Sequence, residues 1–444
     1  MRITMTLGVL CIVFPAAVIG GLLTRPTPGG DAGGREDPAA RLAAQTPNAR
    51  LAPYAPDPGH PWNRLHQALF MREAADGGWR VHSTDPMLYR GGTFLLEKGP
   101  NRRVVALLDQ GLARPDDRPI DDPLMRLFFQ RDLWATFDYV AWYPDDWVHH
   151  SRHEPAAVAL RTRLAEVIGR LALGDREFEA LPDNYALAVK SKQYPAARDP
   201  EHPERPFLPP DLFDPTGPWV RFHEETAEPM ARQHFDGAGG RAVHVIFLRL
   251  PGGRATTERY LKELNRDSVK QIPPGTMVAM VRRALAVDRS AKVRVTPVTE
   301  LVQIRVYGRI PADPRANFHG DFGEQDVYEY VLDRMKLFAG QHGLRAVGPD
   351  DPAEPFARSD DPFERRGRSD RPPADERMMP RLKTCIQCHQ APGVHSVLSM
   401  RPGLRGRDAE VFRTYAWEVE IDYTVKEKVK RFDWGLLQGK LETR

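Results

Sequence analysis

The chain has 444 residues, enough for two or three domains and a sizeable core. Its 63 Lys and Arg nearly balance 60 Asp and Glu, and a formal net charge of +3 makes no electrostatic case for nucleic acid. The 41 prolines predict long irregular stretches between compact parts.

Residues Ile3 to Leu23 are apolar apart from two threonines, with Arg2 before them and Arg25 just after. Residues 1–24 therefore read as a secretory signal peptide or an uncleaved N-terminal anchor. The run is about long enough to cross a bilayer, so length does not separate the two. Ala16, Ala17, Gly20 and Gly21 suit a signal peptidase and Pro15 would bend a spanning helix, which favours cleavage. Leu10 is too large to precede a lipoprotein cleavage at Cys11. The expected location is periplasmic or otherwise exported, with inner-membrane anchoring through residues 3–23 if the signal stays. Any membrane contact would come through that anchor alone.

Residues 25–60 are rich in Pro, Gly and Ala and read as a flexible linker. Residues 61–190 read as mainly helical. Trp62, Leu65, Leu69 and Phe70 have helical spacing, and Val104 to Leu108 is a buried helical or strand segment. Asp121-Asp122-Pro123 is a helix start, and the aromatic row Phe128, Phe129, Trp134, Phe137, Tyr139 and Trp142 reads as core. A second helix is expected to open at Pro155, bury Leu160, Leu164, Val167, Ile168 and Leu171, and close at Gly174. His149, His150 and His153 have helical spacing for a metal, but Asp145 and Asp146 beside them read equally as a solvated turn.

Lys190 to Pro218 is dense in proline and charge and reads as a long surface connection. Residues 205–347 then read as an α+β region with an antiparallel sheet, with a sandwich as one arrangement. Strands are expected at Ala242–Leu248, Met277–Val287, Val293–Val298 and Leu301–Tyr307, and a short helix at Thr256–Leu264. Val302, Ile304 and Val306 alternate with Gln303, Arg305 and Tyr307, as a half-buried strand would. Val327–Phe338 fits either strand or helix. Gly237 to Ala242 matches G-x-G-x-x-A but precedes a strand, so it reads as a hairpin loop rather than a dinucleotide site. Gly435 to Lys440 is one residue short of a P-loop and lacks its Ser/Thr, and no G-x-S-x-G or H-E-x-x-H occurs. Residues 348–377 form a charged, proline-rich linker. Its run Arg365-Arg366-Gly367-Arg368 reads as a solvated hinge first and a basic docking patch for an acidic partner second.

Near the C-terminus stands Cys385-Ile386-Gln387-Cys388-His389, a C-x-x-C-H run. Two thiols add across the two vinyl groups of a haem, and the adjacent imidazole is the proximal iron ligand. On a helix, positions i, i+3 and i+4 share one face, so both sulfurs and the imidazole meet the same macrocycle. Pro380 suits a first helical position and Ala391-Pro392-Gly393 a stop. Zinc would want a second Cys/His pair, and a thioredoxin-like motif would sit beside a βαβ pattern; neither context is present. The chain contains three cysteines, so removal of the signal would leave only Cys385 and Cys388, with no competing disulfide partner.

Residues 378–444 resemble the c-type cytochromes. The resemblance rests on this pentapeptide and the residues after it, and it implies one covalent haem c per chain, held by Cys385 and Cys388 with His389 on the iron. Six residues separate His389 from His395 and span at most about 20 Å, whereas the eleven to Met400 allow about 36 Å, enough to pass the porphyrin edge. Met400 is therefore the expected distal metal ligand, with His395, His223 and His234 as histidine alternatives. A final helix is expected from about Asp408. Its aromatic residues Phe412, Tyr415, Trp417 and Tyr423 would cover a haem face, with Lys426, Lys428, Lys430 and Arg431 in solvent.

The fold class expected is α+β: a helical N-terminal region, an antiparallel β-rich middle and a small helical cytochrome c-like C-terminal segment. The function expected is that of an exported mono-haem electron-transfer protein with a redox partner protein. A peroxidase-like oxidoreductase, or a binding protein with an accessory haem, is the alternative. No catalytic residue is assigned.

Overall fold

Apolar residues at helical spacing gather the first part of the chain into a bundle. The computed structural model describes residues 54–348 with short internal gaps, His389, residues 392–397 and residues 412–443 with a short gap. The bundle comprises α1 (Pro61–Phe70), α2 (Lys98–Leu112), α3 (Pro123–Trp142) and α4 (His150–Arg170), with a short antiparallel pair, β1 (Met71–Glu73) and β2 (Trp79–Val81), after α1. At the start of α3 the Met125 N–H donates to Asp122 Oδ1 at 2.9 Å, the cap the sequence predicts. Phe128, Phe129, Trp134 and Phe137 of its aromatic row are fully buried. Helix α4 begins at His150 rather than Pro155, which falls in the second turn. Gly174 does not end α4. It precedes α5 (Asp175–Glu179), and its N–H donates to Glu177 Oε2 at 2.9 Å.

After α6 (Asn184–Ser191) come β3 (Val220–Arg221), β4 (His223–Glu224), β5 (Ala242–Arg249), α7 (Arg254–Glu263), β6 (Met277–Val287), β7 (Val293–Tyr307), β8 (Gln325–Leu332), α8 (Arg334–Phe338) and β9 (Leu344–Ala346). The fold class is α+β, and the main sheet is six-stranded and antiparallel throughout, in the order β3-β5-β6-β7-β8-β9. The two strands expected between Val293 and Tyr307 are one. Pro297, with no N–H to give a ladder, sits where the register against β6 shifts. The ambiguous stretch from Val327 is a strand followed by a helix, and Asp333 caps that helix by accepting from the Lys336 N–H at 3.2 Å.

One face of the sheet is apolar. Val245, Phe247, Val281, Val302, Ile304 and Tyr330 pack under α6 and under Phe207, Leu208, Leu212 and Trp219. The proline-rich segment read as a surface connection therefore also covers this face, because its Phe207, Leu208 and Leu212 leave water.

The C-terminal part contributes α9 (Val394–Val397), β10 (Phe412–Arg413, paired with β4), α10 (Trp417–Lys430) and α11 (Phe432–Glu442). A single final helix is not what forms. The chain turns at Arg431, and Trp434 and Leu437 of α11 enter the helical core. Lys428 does not face solvent. Glu420, Thr424 and Lys428 recur every fourth residue as a polar stripe that α10 buries, so hydropathy points to the wrong face. Lys428 Nζ donates to Asp138 Oδ2 (2.8 Å), to Asp433 and to the Gly239 carbonyl (3.0 Å), and lies 5.0 Å over the Trp134 ring. Arg241 also pairs with Asp138.

Two outcomes are expected. Lys428→Met leaves Asp138 and Asp433 buried beside each other without their shared cation, and should cost about 3 kcal/mol in urea unfolding; a loss below ~1 kcal/mol would contradict that role. Burial, against the opposing pull of Asp132, lowers His66 to about 4. The unfolded chain then binds the extra proton, so stability is retained above pH ~6.5 and lost as pH falls towards ~4, by roughly 3 kcal/mol. His66→Phe, packed between Tyr54 and Phe70, should flatten that stretch of the stability–pH curve.

Candidate functional site

The other face of the sheet is the unusual one. Pairings His244↔Arg282, Met280↔Gln303, Val278↔Arg305 and Gln303↔Glu329 put these side chains on one side. His244, Arg282, Gln303, Arg305 and Glu329 are each no more than 5% exposed. The alternation that reads as half-buried is thus buried on both sides, because chain from α7 and the C-terminal region lies over the polar face. Val394 joins Ile246, Leu248, Val278, Met280, Leu301 and Tyr307 in the apolar part of this layer.

Docking of residues 392–397 requires Gly393, whose φ is +56°. A Cβ there would stand 2.2 Å from Gln271 Oε1 and 2.7 Å from Ile310 Cγ2. Gln271 Oε1 instead accepts from the Val394 N–H at 2.6 Å. Two residues on, Ser396 is fully buried and binds in three directions. Its hydroxyl donates to the His389 carbonyl (2.7 Å) and accepts from Tyr307 Oη (3.1 Å) and Arg305 Nη1 (3.1 Å). Its carbonyl accepts from Arg305 Nη1 at 3.2 Å and from His389 Nδ1 at 2.9 Å. Gln325 Nε2 also donates to the His389 carbonyl, at 3.1 Å.

His389 is consequently held at both ends, by its own carbonyl and by Nδ1. A carbonyl partner makes Nδ1 the protonated nitrogen and puts the lone pair on Nε2, the arrangement metal-binding histidines take from their outer partners. Burial foremost, with the Arg305 charge, drives this imidazole well below its ordinary range, against the effect of the Ser396 bond. The ring is therefore neutral and fit to coordinate.

A second imidazole faces it. The His234 ring lies 6.2 Å from that of His389, centre to centre, with the planes only 16° apart. The His244 ring centre is 5.8 Å from that of His234, with the planes 42° apart. His244 is driven well below its ordinary range by burial first, then by His234 and Arg282. Among the described residues its buried Nδ1 has no hydrogen-bond partner.

Of the sequence-derived site, the described residues include His389, but Cys385, Cys388 and Met400 lie outside them, as do the N-terminal run 3–23 and the linker arginines. The side chains of His149, His150 and His153 are likewise outside, and so is that of His223. Sequence reasoning missed Ser396, Gln325, Arg305 and His244. The available signal was His244 itself, a polar residue inside the otherwise apolar strand Ala242–Leu248.

Among the described residues no three His, Cys, Asp or Glu gather as a metal site. A porphyrin iron asks the protein for only one or two axial donors. No described helix is long and apolar enough to cross a membrane. No family model, curated protein or solved structure matches this chain.

Gly393→Ala should force segment 392–397 off Gln271. A stability loss of about 1–2 kcal/mol is expected, with faster amide exchange at Val394 and Ser396. Unchanged exchange there would mean that the backbone shifts without cost.

Proposed function

We propose that the chain is an exported single-haem protein of c-type cytochrome character that transfers electrons to or from a partner protein. The haem would be bonded to Cys385 and Cys388, with His389 on the iron. The observation that carries this reading is the buried, neutral His389 ring, whose Nδ1 donates to the Ser396 carbonyl, the tautomer that metal-binding histidines take from their outer partners. A haem supplies a one-electron couple between ferric and ferrous iron.

The chain's own residues do the rest. Ser396, Gln325, Arg305 and Tyr307 orient the imidazole, and the buried polar face keeps the surroundings fixed as charge changes. On that face the Arg282 charge is paired with Glu300, and Arg305 bonds Ser396 beside His389. The sparing use of cysteine and the apolar N-terminal run support maturation outside the cytoplasm.

The test is a pyridine haemochrome spectrum together with the intact mass of the exported protein. One haem per chain, attached through two thioether bonds, is expected, and the Cys385→Ala/Cys388→Ala double variant should lose it. Apoprotein mass alone, from material matured with the haem-attachment machinery present, would sink the proposal.

A further inference from the structure

We propose that Asp138 and Asp433 hold one proton between them, and that this proton acts as a latch on the C-terminal helices. When bound it closes α10 and α11 onto α3; when lost it loosens them. The latch does not depend on the haem reading, and no residue of that site takes part in it.

The cluster of buried charges is the first observation. Lys428 Nζ donates to Asp138 Oδ2 at 2.8 Å and also to Asp433, and the three side chains are each no more than 5% exposed. Facing Asp138 are Lys428 from α10, Asp433 from α11 and Arg241 from the entry to β5. Arg431 bears on Asp433 from the cap of α11, at 3.2 Å. Lys428 is the cation that both carboxylates share, whereas Arg241 and Arg431 pair with one each and have other interactions besides. Two carboxylates buried around one ammonium face each other as like charges, which is costly away from water.

The two carboxylates are not equivalent, and this is the second observation. Asp433 lies in the first turn of α11, where the helix dipole favours an anion. Each of its oxygens meets a cation, Arg431 Nε at Oδ1 and Lys428 Nζ at Oδ2. Asp138 instead receives both of its cations on Oδ2, and its buried Oδ1 has no hydrogen-bond partner among the described residues. A proton relieves that oxygen and turns Asp138 into a donor, with the Asp433 carboxyl within hydrogen-bond reach. Burial, opposed by Lys428 and aided by Asp433, pushes Asp138 up to about 6.

The third observation is what the cluster is tied to. Lys428 Nζ also donates to the Gly239 carbonyl at 3.0 Å, and its Cδ lies where a side chain on Gly240 would stand. Trp434 of α11 packs 5.7 Å from Trp134, one turn before Asp138 on α3. Charge at Asp138 is therefore felt by α10, α11 and the turn before β5 together. In the opened chain Asp138 returns to its ordinary value of 3.8. The closed state then binds the proton more tightly, so the stabilisation is complete below pH ~4 and is lost as pH rises through ~6. This runs opposite to the effect of His66.

The experiment uses the full chain with His66→Phe as background, which removes that opposing trend. Amide exchange in α10 and α11, corrected for its intrinsic rate, should be about tenfold slower at pH ~5 than at pH ~7.5. Asp138→Asn, which fixes the neutral form, should abolish this dependence. Infrared difference spectra of the wild-type chain should show a buried protonated carboxyl that disappears with a midpoint near 6 and is missing from Asp138→Asn. Equal protection of α10 and α11 at the two pH values overturns the latch. A carboxyl band that persists in Asp138→Asn overturns the placement of the proton. So does the absence of any such band from the wild type at pH ~5, a result that needs no variant to fold.

Discussion

The burial of a polar sheet face under the chain's own C-terminal segment is the constraint on which the site depends. Water has been removed from His244, Arg282, Gln303, Arg305 and Glu329, and such groups are costly unless they are bonded inside the protein. Ser396 meets part of that demand by accepting from Arg305 and Tyr307 while donating to the His389 carbonyl. The same bonds that satisfy the sheet therefore orient the imidazole. Stability and site geometry are one network here, and loss of either end disturbs both.

A second polar junction fastens the C-terminal helices. Lys428 of α10 reaches Asp138 of α3 and Asp433 of α11, while Arg241, at the mouth of β5, shares Asp138. Burial raises Asp433, but Lys428 and its other donors overcome this and hold it at about 2, so it is charged at any ordinary pH. Buried ion clusters of this kind specify an arrangement more than they add net stability. In this molecule the arrangement is the placement of the turn at Gly239–Gly240, from which His234 projects beside His389.

A shared core joins what the sequence divides into regions. Leu285, Val287 and Val293 from the far ends of β6 and β7 pack among the helices of residues 61–170, together with Trp434 and Leu437 from the C-terminus. The long hairpin of β6 and β7 thus extends from the helical core at one end to the Ser396–His389 contacts at the other. A rigid hairpin of this length lets the site be positioned by packing rather than by flexible linkers.

Local chemistry sufficed for whatever depends on neighbours in the chain. The Asp122 cap, the aromatic core of α3, the strands Ala242–Leu248 and Met277–Val287 and the α+β class all follow from side-chain period and capping, which act over a few residues. The C-x-x-C-H run is legible for the same reason, since its chemistry is contained in five positions. Tertiary structure alone decided which polar residues are buried. Gln303 and Arg305 carry the same pattern whether their face meets water or another segment, and Lys428 has the spacing of a solvent residue until Asp138 and Asp433 are brought to it. It also decided that His234, 155 positions before His389, stands opposite that ring. No local rule carries that pairing, because it is made by a turn, a sheet edge and a helix whose positions are set only when the whole core closes.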